Sequence, residues 1–564
     1  MKIAQGLKEE NPSIKLIFGG PQVPNIAENF LRKNFFIDIV VHGEGEEISR
    51  LLVDSDFDLK TPSISYIKEN VFFRNQSRYK LKDLNIIPSP YLNGVFDNII
   101  SQNPNQRWIA CWETNRGCPF SCSFCDWGSS TKSKILQFDL DRVYKEIEWF
   151  SKNKIDFVFC CDANFGILKR DLDIVDYVAR IKSREGFPKS LSVQNTKNAI
   201  ETTFKVQKIL SDNGLNKGVT LSLQSTNPQV LSNIKRSNIS VQAYQDMQLQ
   251  FTRQKIETYT DVILGLPGET YESYIKGVDS IISNGQHNRI QFNNLSILPN
   301  SEMGSQEYQE KFGMVVVQTD IVNVHGTYRD DNHKILEKQL LCVGTDSMNK
   351  SDWIKSRVIS WWIGLLYFNK ILQIPVLTAH KLYTIPFRKI FELFTRELSL
   401  ANHPILKSIN NFFIAKALDI QNGGVEYCLS KNFLNIYWTA DELVILQLIA
   451  DNKINTFYNE CSQLFLENLV VESAFLCNSI KLNAEILKKP FQKENGLISL
   501  EFDILEFYYS ILAGGTKKLE KINCLYNINR QNEIWTTLND YYKEVIWFGN
   551  KKGAYLYQNI ERIN

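Results

Sequence analysis

Glu113-Thr114-Asn115-Arg116-Gly117-Cys118-Pro119-Phe120-Ser121-Cys122-Ser123-Phe124-Cys125-Asp126-Trp127-Gly128 is the stretch on which the reading turns. It sets Cys118, Cys122 and Cys125 in a C-x3-C-x2-C spacing directly after an apolar run, Trp108 to Trp112, that reads as a strand. Thiolates are the usual ligands of iron–sulfur clusters, and three on one loop can converge on three irons of a cubane, leaving the fourth iron without a protein ligand. An open metal position separates sites that receive a substrate or cofactor from closed structural ones. A structural zinc site or three unrelated thiols are the alternatives. Zinc takes four protein ligands in paired knuckles, and no second C-x-x-C occurs in the chain.

Beyond the cysteines, apolar runs alternate with helical patterns. The strands are Trp108–Trp112, Phe157–Cys161, Leu191–Gln194, Val219–Leu223, Thr258–Leu264 and Arg289–Ile297, and helical stretches such as Leu140–Lys152, Arg170–Lys182 and Tyr271–Ser283 lie between them. Six strands alternating with helices predict a parallel α/β sheet, here a partial (β/α)6 barrel over residues 106–330. Before it, residues 1–60 read as two α/β units, with Gly19-Gly20 and His42-Gly43-Glu44-Gly45-Glu46 at the carboxyl ends of strands, where open parallel sheets place ligands. Residues 61–105 read as a linking hairpin, and residues 331–564 as a mainly helical domain rich in Leu, Ile, Phe and Trp.

Composition excludes several classes. Lys and Arg number 64 against 62 Asp and Glu, so no overall field draws the chain towards nucleic acid or an anionic membrane. The most apolar late stretch, Val358 to Phe368, is shorter than the ~20 residues a membrane span needs, and the N-terminus has no signal-peptide pattern. Eleven dispersed cysteines in a long apolar chain read as reduced thiols, which predicts a cytoplasmic protein. Cys160 and Cys161 are consecutive in a strand and face opposite sides, so they cannot share a metal. His333 follows Asp331 by two residues, but no D-x-H-x-x-G pattern is completed.

The cysteine stretch resembles the radical S-adenosylmethionine (SAM) superfamily, and the resemblance extends over about residues 106 to 300. It implies a [4Fe–4S] cluster on Cys118, Cys122 and Cys125, whose open iron chelates SAM, with Phe124 beside the adenine. Asp162-Ala163-Asn164-Phe165-Gly166 stands where the family usually carries a Gly-Gly-Glu-like segment, and resembles the variant common among cobalamin-dependent members. The resemblance implies that Asp162 and Asn164 bind the cofactor, with Asp162 accepting from the methionyl ammonium; a strand-ending Asx-type turn is the other reading of Asp162. Ser222, Gln224 and Ser225 follow the fourth strand, where the family places contacts to ribose and carboxylate. Lys235 and Arg236 offer a cation for the carboxylate or a solvated helix end. Ile263-Leu264-Gly265-Leu266-Pro267-Gly268-Glu269-Thr270 resembles the family's adenine-binding motif, in which Gly265 lets backbone approach a flat ring, although a Pro-Gly turn needs no ligand.

Gly19-Gly20 and Val41-His42-Gly43-Glu44-Gly45-Glu46 resemble the last third of the cobalamin-binding domain that precedes many such barrels, implying Gly19, Gly20, Gly43 and Glu44 as cobalamin contacts. The combination is similar to cobalamin-dependent radical methyltransferases of the class-B type. Val343–Met348, with Asp352-Trp353-Ile354, is similar to the helical extension of members acting on natural products such as carbapenem precursors. The early strands of that cobalamin domain are not in this chain, which predicts an incomplete domain and weak cobalamin binding.

The resemblance implies methyl transfer to an unactivated carbon of a small-molecule or natural-product substrate. A low-potential donor such as flavodoxin or ferredoxin reduces the cluster, a 5′-deoxyadenosyl radical from SAM removes hydrogen, and methylcobalamin supplies the methyl group. A radical rearrangement, with or without cobalamin, would use the same motifs, and a non-catalytic cluster- or cobalamin-binding protein would make no 5′-deoxyadenosine. Nucleic acid and membrane are not expected as partners.

Overall fold

The computed structural model describes residues 1–76, 81–127, 134–196, 200–216, 218–328, 336–492, 494–530, 535–549 and 553–563; Gly128, Asp331 and His333 lie outside them. The chain divides into two compact units. The first comprises Met1–Val219, Ser232–Asn238 and Ile297–Lys311, and the second Thr220–Leu231, Ile239–Ser296 and Phe312–Asn564. The alternating region contributes residues to both units.

The first unit begins with α1 (Lys2–Glu10), β1 (Ile17–Phe18), α2 (Glu28–Lys33), β2 (Ile39–Val41) and α3 (Glu46–Asp54). All three residues of β2 are buried, as expected of a strand covered on both faces. It runs parallel to β1, with Ile17 opposite Ile39. Helix α3 opens with Glu46 and Glu47 in its first turn, where carboxylates complement the helix dipole.

The hairpin of β3 (Ile64–Lys68) and β4 (Val71–Arg74), read from sequence as part of a linker, joins this sheet. Strand β3 pairs antiparallel with β2, Val41 opposite Ile64, giving the order β1-β2-β3-β4. The cause is apolar: Ile64 is buried in one cluster with Ile39, Val41, Ile48 and Leu52. His42 extends the pairing, with its N–H donating to Ser63 O at 2.9 Å and its Nε2 lying 2.8 Å from Ser65 Oγ.

After α4 (Asp97–Gln102) come β5 (Ile109–Trp112), the short antiparallel pair β6 (Asn115–Arg116) and β7 (Leu136–Gln137), α5 (Leu140–Lys152), β8 (Phe157–Cys160), α6 (Arg170–Glu185), β9 (Ser190–Ser192) and α7 (Ile200–Asp212). Strands β5, β8 and β9 are parallel in that order, with Trp112 opposite Cys160 and Val158 opposite Leu191. Val143, Ile147 and Phe150 of α5 recur at helical spacing and bury against this sheet. Trp112 Nε1 donates to Glu146 at 2.9 Å inside the same core. Helix α6 is acidic in its first turn, basic in its last, and stops at Gly186, whose φ of 82° suits a helix C-terminus.

Strand β10 (Val219–Thr220) lies at the boundary between the units. In the second unit, α8 (Pro228–Asn233, which ends in the first unit) and α9 (Val241–Arg253) precede β11 (Thr258–Leu264), α10 (Tyr271–Ser283) and β12 (Arg289–Asn294). β11 and β12 are parallel, Thr260 opposite Ile290, and Leu221 N–H donates to Tyr259 O at 2.7 Å on the other side of β11. All six strands of the sequence-read alternation are thus present. Residues after 312 are mainly helical, with small antiparallel pairings such as β13 (Val315–Asp320) with β14 (Lys338–Gly344).

Among the described residues no single helix is long and apolar enough to cross a membrane. The pair Lys350–Phe368 and Gln373–Tyr383, bent by 94°, meets the length and composition only jointly. Residues 356–379 of that pair are buried in the second unit.

If β3 belongs to the N-terminal sheet, Ile64→Ala removes a fully buried side chain from its core and is expected to cost about 2–4 kcal/mol. Urea unfolding followed on the full chain measures this. A change within ~0.5 kcal/mol, the range of a surface substitution, would mark the hairpin as a peripheral linker.

Candidate functional site

The cysteine loop leaves β5 and turns immediately. Gly117, between Arg116 and Cys118, has a φ of 116°, in the left-handed region that disfavours side chains. Cys122 is buried, Cys118 half-buried and Cys125 exposed, and Cys125 N–H closes the loop onto Cys122 O at 3.0 Å. Ser123 anchors the loop from beneath: its N–H donates to Ile234 O at 3.0 Å, its carbonyl accepts from Met303 N–H at 3.0 Å, and its hydroxyl meets Tyr308 Oη at 3.1 Å. Phe124 is half-buried on this loop.

Among the described residues, no group of three or more His, Cys, Asp and Glu could hold a single metal ion. The donor chemistry suits a multi-iron group: three sulfurs on one anchored loop and no carboxylate or imidazole among them. The other cysteines are free thiols. Burial pushes the Cys160 thiol well above its ordinary range, and burial with Cys111 nearby pushes Cys161 up to about 11.

The end of β8 organises the site. From Phe157 to Asn164 burial alternates strictly, with residues 158, 160, 162 and 164 buried and 157, 159, 161 and 163 half-buried. The chain turns at Ala163 and Asn164, and the alternation in burial leaves Asp162 and Asn164 inside while Cys161 and Ala163 remain partly accessible.

Asp162 is 1% exposed. Its Oδ1 accepts from Thr114 N–H at 2.8 Å and Asn115 N–H at 3.1 Å, and its Oδ2 from the Thr114 hydroxyl at 2.5 Å and Asn115 Nδ2 at 2.8 Å. Burial pushes its carboxyl up to about 6 in spite of these bonds. Both oxygens accept from the first residues of the cysteine loop, and the carboxylate ties the ends of β5 and β8 together. Asn164, 3% exposed, directs its Nδ2 at Cys118 Sγ, 3.1 Å away.

Cys161 and Ala163 line a cavity of about 780 Å³. The same cavity is lined by Gly19 and Gly20 after β1, by Gly43, Glu44, Gly45 and Glu46 after β2, and by Asn115, Arg116 and Gly117 at the start of the cysteine loop. Ile17, Val41 and Trp127 contribute apolar wall. Gly20 (φ +93°) and Gly43 (φ +77°) sit in the left-handed region, and a Cβ on Gly20, Gly43 or Gly45 would meet nothing within 4 Å. Side chains there would project into open space, so the glycines keep a shelf clear for a flat or bulky group.

One ion cluster closes the polar end of this cavity. Arg116 reaches Glu113, between β5 and β6, at 2.8 Å, Glu46 at 2.9 Å and Glu44 at 3.3 Å. The hydrogen bonds it donates to Glu113 foremost raise the guanidinium above its usual range. Glu44, read from sequence as a cofactor contact, also accepts from Leu81 N–H at 3.1 Å. Nearby, Asn300 fastens the Gly20 turn by donating to Pro21 O at 3.0 Å and Val23 O at 2.9 Å while accepting from Asn25 N–H at 2.8 Å.

The remaining sequence-read residues Ser222, Gln224 and Gly265 belong to the second unit. Ser222 donates to Asp261 at 2.5 Å. Gln224 holds a φ of 65°, and its Oε1 is buried with no hydrogen-bond partner among the described residues, the kind of acceptor a ligand hydroxyl satisfies. Gly265 is explained by packing: at φ +90° its Cβ would lie 3.3 Å from Cys342 O and 3.6 Å from the Trp353 indole. Lys235 pairs with Glu302 at 2.6 Å on the surface, and Arg236 donates to Asn238 at 2.7 Å.

Sequence reasoning missed Thr114 and Asn115 as donors to Asp162, and the Arg116 cluster. Arg116 and Glu113 stand three residues apart, but nothing in the spacing announces Glu44 and Glu46, some 70 residues away.

Residues 112–280 match the family model of the Radical SAM superfamily, and this part of the chain is a radical SAM domain. Its homologues include cobalamin-dependent radical SAM methyltransferases. The cobalamin-dependent radical SAM methyltransferase TokK of Streptomyces tokunonensis is 36% identical over 363 residues, which is 63% of this chain and 53% of that protein. The 2-(S-pantetheinyl)-carbapenam-3-carboxylate methyltransferase of Streptantibioticus cattleyicolor is 36% identical over 362 residues, again 63% and 53%. The chain thus spans about half the length of these curated relatives. Among solved structures, the radical SAM methyltransferase TsrM from Kitasatospora setae, with cobalamin and [4Fe-4S] cluster bound, is similar at a TM-score of 0.43 and 15% identity, covering 63% of this chain and 73% of that one.

Replacing Asp162 by Ala strands four donors in a buried site and is expected to cost on the order of 3 kcal/mol in urea unfolding. Asp162→Asn, which keeps the shape and one carbonyl acceptor, should lose about half as much. Unchanged stability in Asp162→Ala together with weakened SAM binding would instead mark Asp162 as a SAM ligand.

Proposed function

We propose that this chain is a cobalamin-dependent radical SAM methyltransferase that places a methyl group on an unactivated carbon of a small-molecule substrate. The observation that carries this reading is the shared cavity. The glycine shelves of the N-terminal sheet and the first residues of the cysteine loop line one space of about 780 Å³, a volume within the range of small-molecule and cofactor sites. The relatives named for cobalamin dependence and methyl transfer support it.

In this reading Cys118, Cys122 and Cys125 hold the [4Fe–4S] cluster, and Phe124 contacts SAM. Gly19, Gly20 and Gly43 give cobalamin a flat approach to backbone. When bound, these groups supply an organic radical that removes hydrogen from the substrate carbon and a methyl group to replace it. The protein orients and encloses. Asp162 fixes the entry of the cysteine loop, and Arg116 with Glu44, Glu46 and Glu113 locks that loop to the glycine shelf. Ile17, Val41 and Ala163 make part of the wall apolar, which limits water where a radical would be quenched. We take the electron donor to be a flavodoxin or ferredoxin and the setting to be the cytoplasm; eleven free cysteines fit a reducing compartment.

Two measurements test the reading. After anaerobic reconstitution, the parent should hold one cluster per chain, and Cys122→Ala should lose it; equal iron and sulfide in both would remove the cluster assignment. Hydroxocobalamin should bind the parent, and Gly43→Val, which fills the shelf, should weaken it about tenfold or more, ~1.4 kcal/mol. Equal affinity in the two would place the cofactor elsewhere. Methylated product separates methyl transfer from rearrangement.

A further inference from the structure

We propose that Asn164 is a positioning residue that sets the reduction potential of the cluster by donating an N–H···S hydrogen bond to Cys118. The inference rests on the cluster reading above and assigns to Asn164 a role through sulfur in place of the direct cofactor contact read from sequence.

Asn164 Nδ2 lies 3.1 Å from Cys118 Sγ. Neither group is free to wander. Asn164 is 3% exposed, and its carbonyl accepts from Ile167 N–H at 3.3 Å, closing the turn that follows β8. The next residue, Phe165, is fully buried and knitted to the chain beyond β9: its N–H donates to Gln194 O at 2.7 Å and its carbonyl accepts from Thr196 N–H at 2.9 Å. On the other side, Cys118 follows Gly117 and stands only a few residues after Thr114 and Asn115, which Asp162 holds. Asp162 and Asn164, both buried at the end of β8, therefore act as a pair, the first gripping the base of the loop and the second its first thiol.

The direction of the hydrogen bond follows from the chemistry. A cysteine that ligates iron has lost its proton and can only accept, so the carboxamide must present its NH2 to the sulfur. Cys118 is half-buried, and a donor in a poorly solvated place counts for more than one in water. When one electron enters a cluster, negative charge accumulates on its sulfurs, and a donor aimed at a ligating sulfur stabilises that state more than the oxidised one. Hydrogen bonds to the sulfurs are among the factors that set cluster potentials. Asn164 should make this cluster easier to reduce than it would be without the bond.

The test is a potentiometric titration of the reduced cluster's electron paramagnetic resonance signal, on reconstituted full-length protein with neither SAM nor substrate. Asn164→Leu removes the donor at nearly constant volume, and Asn164→Asp puts a carboxylate against the sulfur. The midpoint should fall in the order parent, Asn164→Leu, Asn164→Asp, with cluster content per chain unchanged. A purely structural Asn164 would alter cluster content or stability and leave the midpoint of the loaded fraction where it was. Should Asn164→Leu fail to fold, Asn164→Ser, smaller and able to cap the turn, is measured in its place and is expected to lie below the parent. A midpoint equal to the parent's in a loaded Leu or Ser variant overturns the inference and leaves the cluster reading intact. Failure of the parent itself to hold a cluster would instead sink that reading.

Discussion

Asp162 carries its carboxylate into a place that is 1% exposed, where two backbone N–H groups, a hydroxyl and a carboxamide from Thr114 and Asn115 meet it. Burying a carboxylate is costly unless its lone pairs are filled, and here they are filled by one dipeptide. The bond set joins the ends of two parallel strands at the point where the chain leaves the sheet to present its cysteines. Everything nearby depends on that junction. Alternate residues there serve two walls: Asp162 and Asn164 bond to the cysteine loop, while Cys161 and Ala163 line the cavity.

Arg116 makes the second connection. Two residues before Cys118, it gathers Glu113 from the turn after β5 and Glu44 and Glu46 from the segment after β2. Its side chain is 19% exposed, so these pairs are screened less than surface salt bridges, and removing the guanidinium would leave three carboxylates facing one another. The N-terminal sheet thereby gains an orientation relative to the cysteine loop that the short strands β1 and β2 could not impose alone. Asn300 repeats the device at the Gly20 turn with three hydrogen bonds.

Much of this was legible in the sequence because it is carried by local pattern. The C-x3-C-x2-C spacing marked the loop, the alternation of apolar runs marked all six strands, and Gly19, Gly20, Gly43 and Glu44 were placed at strand ends where the cavity is found. What the sequence hid is non-local. That Asp162 would be saturated by Thr114 and Asn115 depends on two strands lying side by side, and no spacing rule reaches across 47 residues. Gly265 was read as room for a ring, whereas its neighbours are Cys342 and Trp353, far along the chain. The hairpin was read as a linker because its strands are short and partly polar; only Ile64, buried against Val41, shows that it completes a sheet.

The glycine shelf and the first residues of the cysteine loop line the same cavity, which under the proposed function would set cobalamin and cluster next to each other. The most direct measurement is pulsed electron paramagnetic resonance on anaerobically reconstituted protein saturated with cobalamin, poised so that cob(II)alamin and the reduced cluster are both paramagnetic. A short-range magnetic interaction, visible as splitting or broadening of the cobalt signal that vanishes when the cluster is oxidised, is the predicted result. Two superimposed, non-interacting spectra at full occupancy of both groups would contradict it.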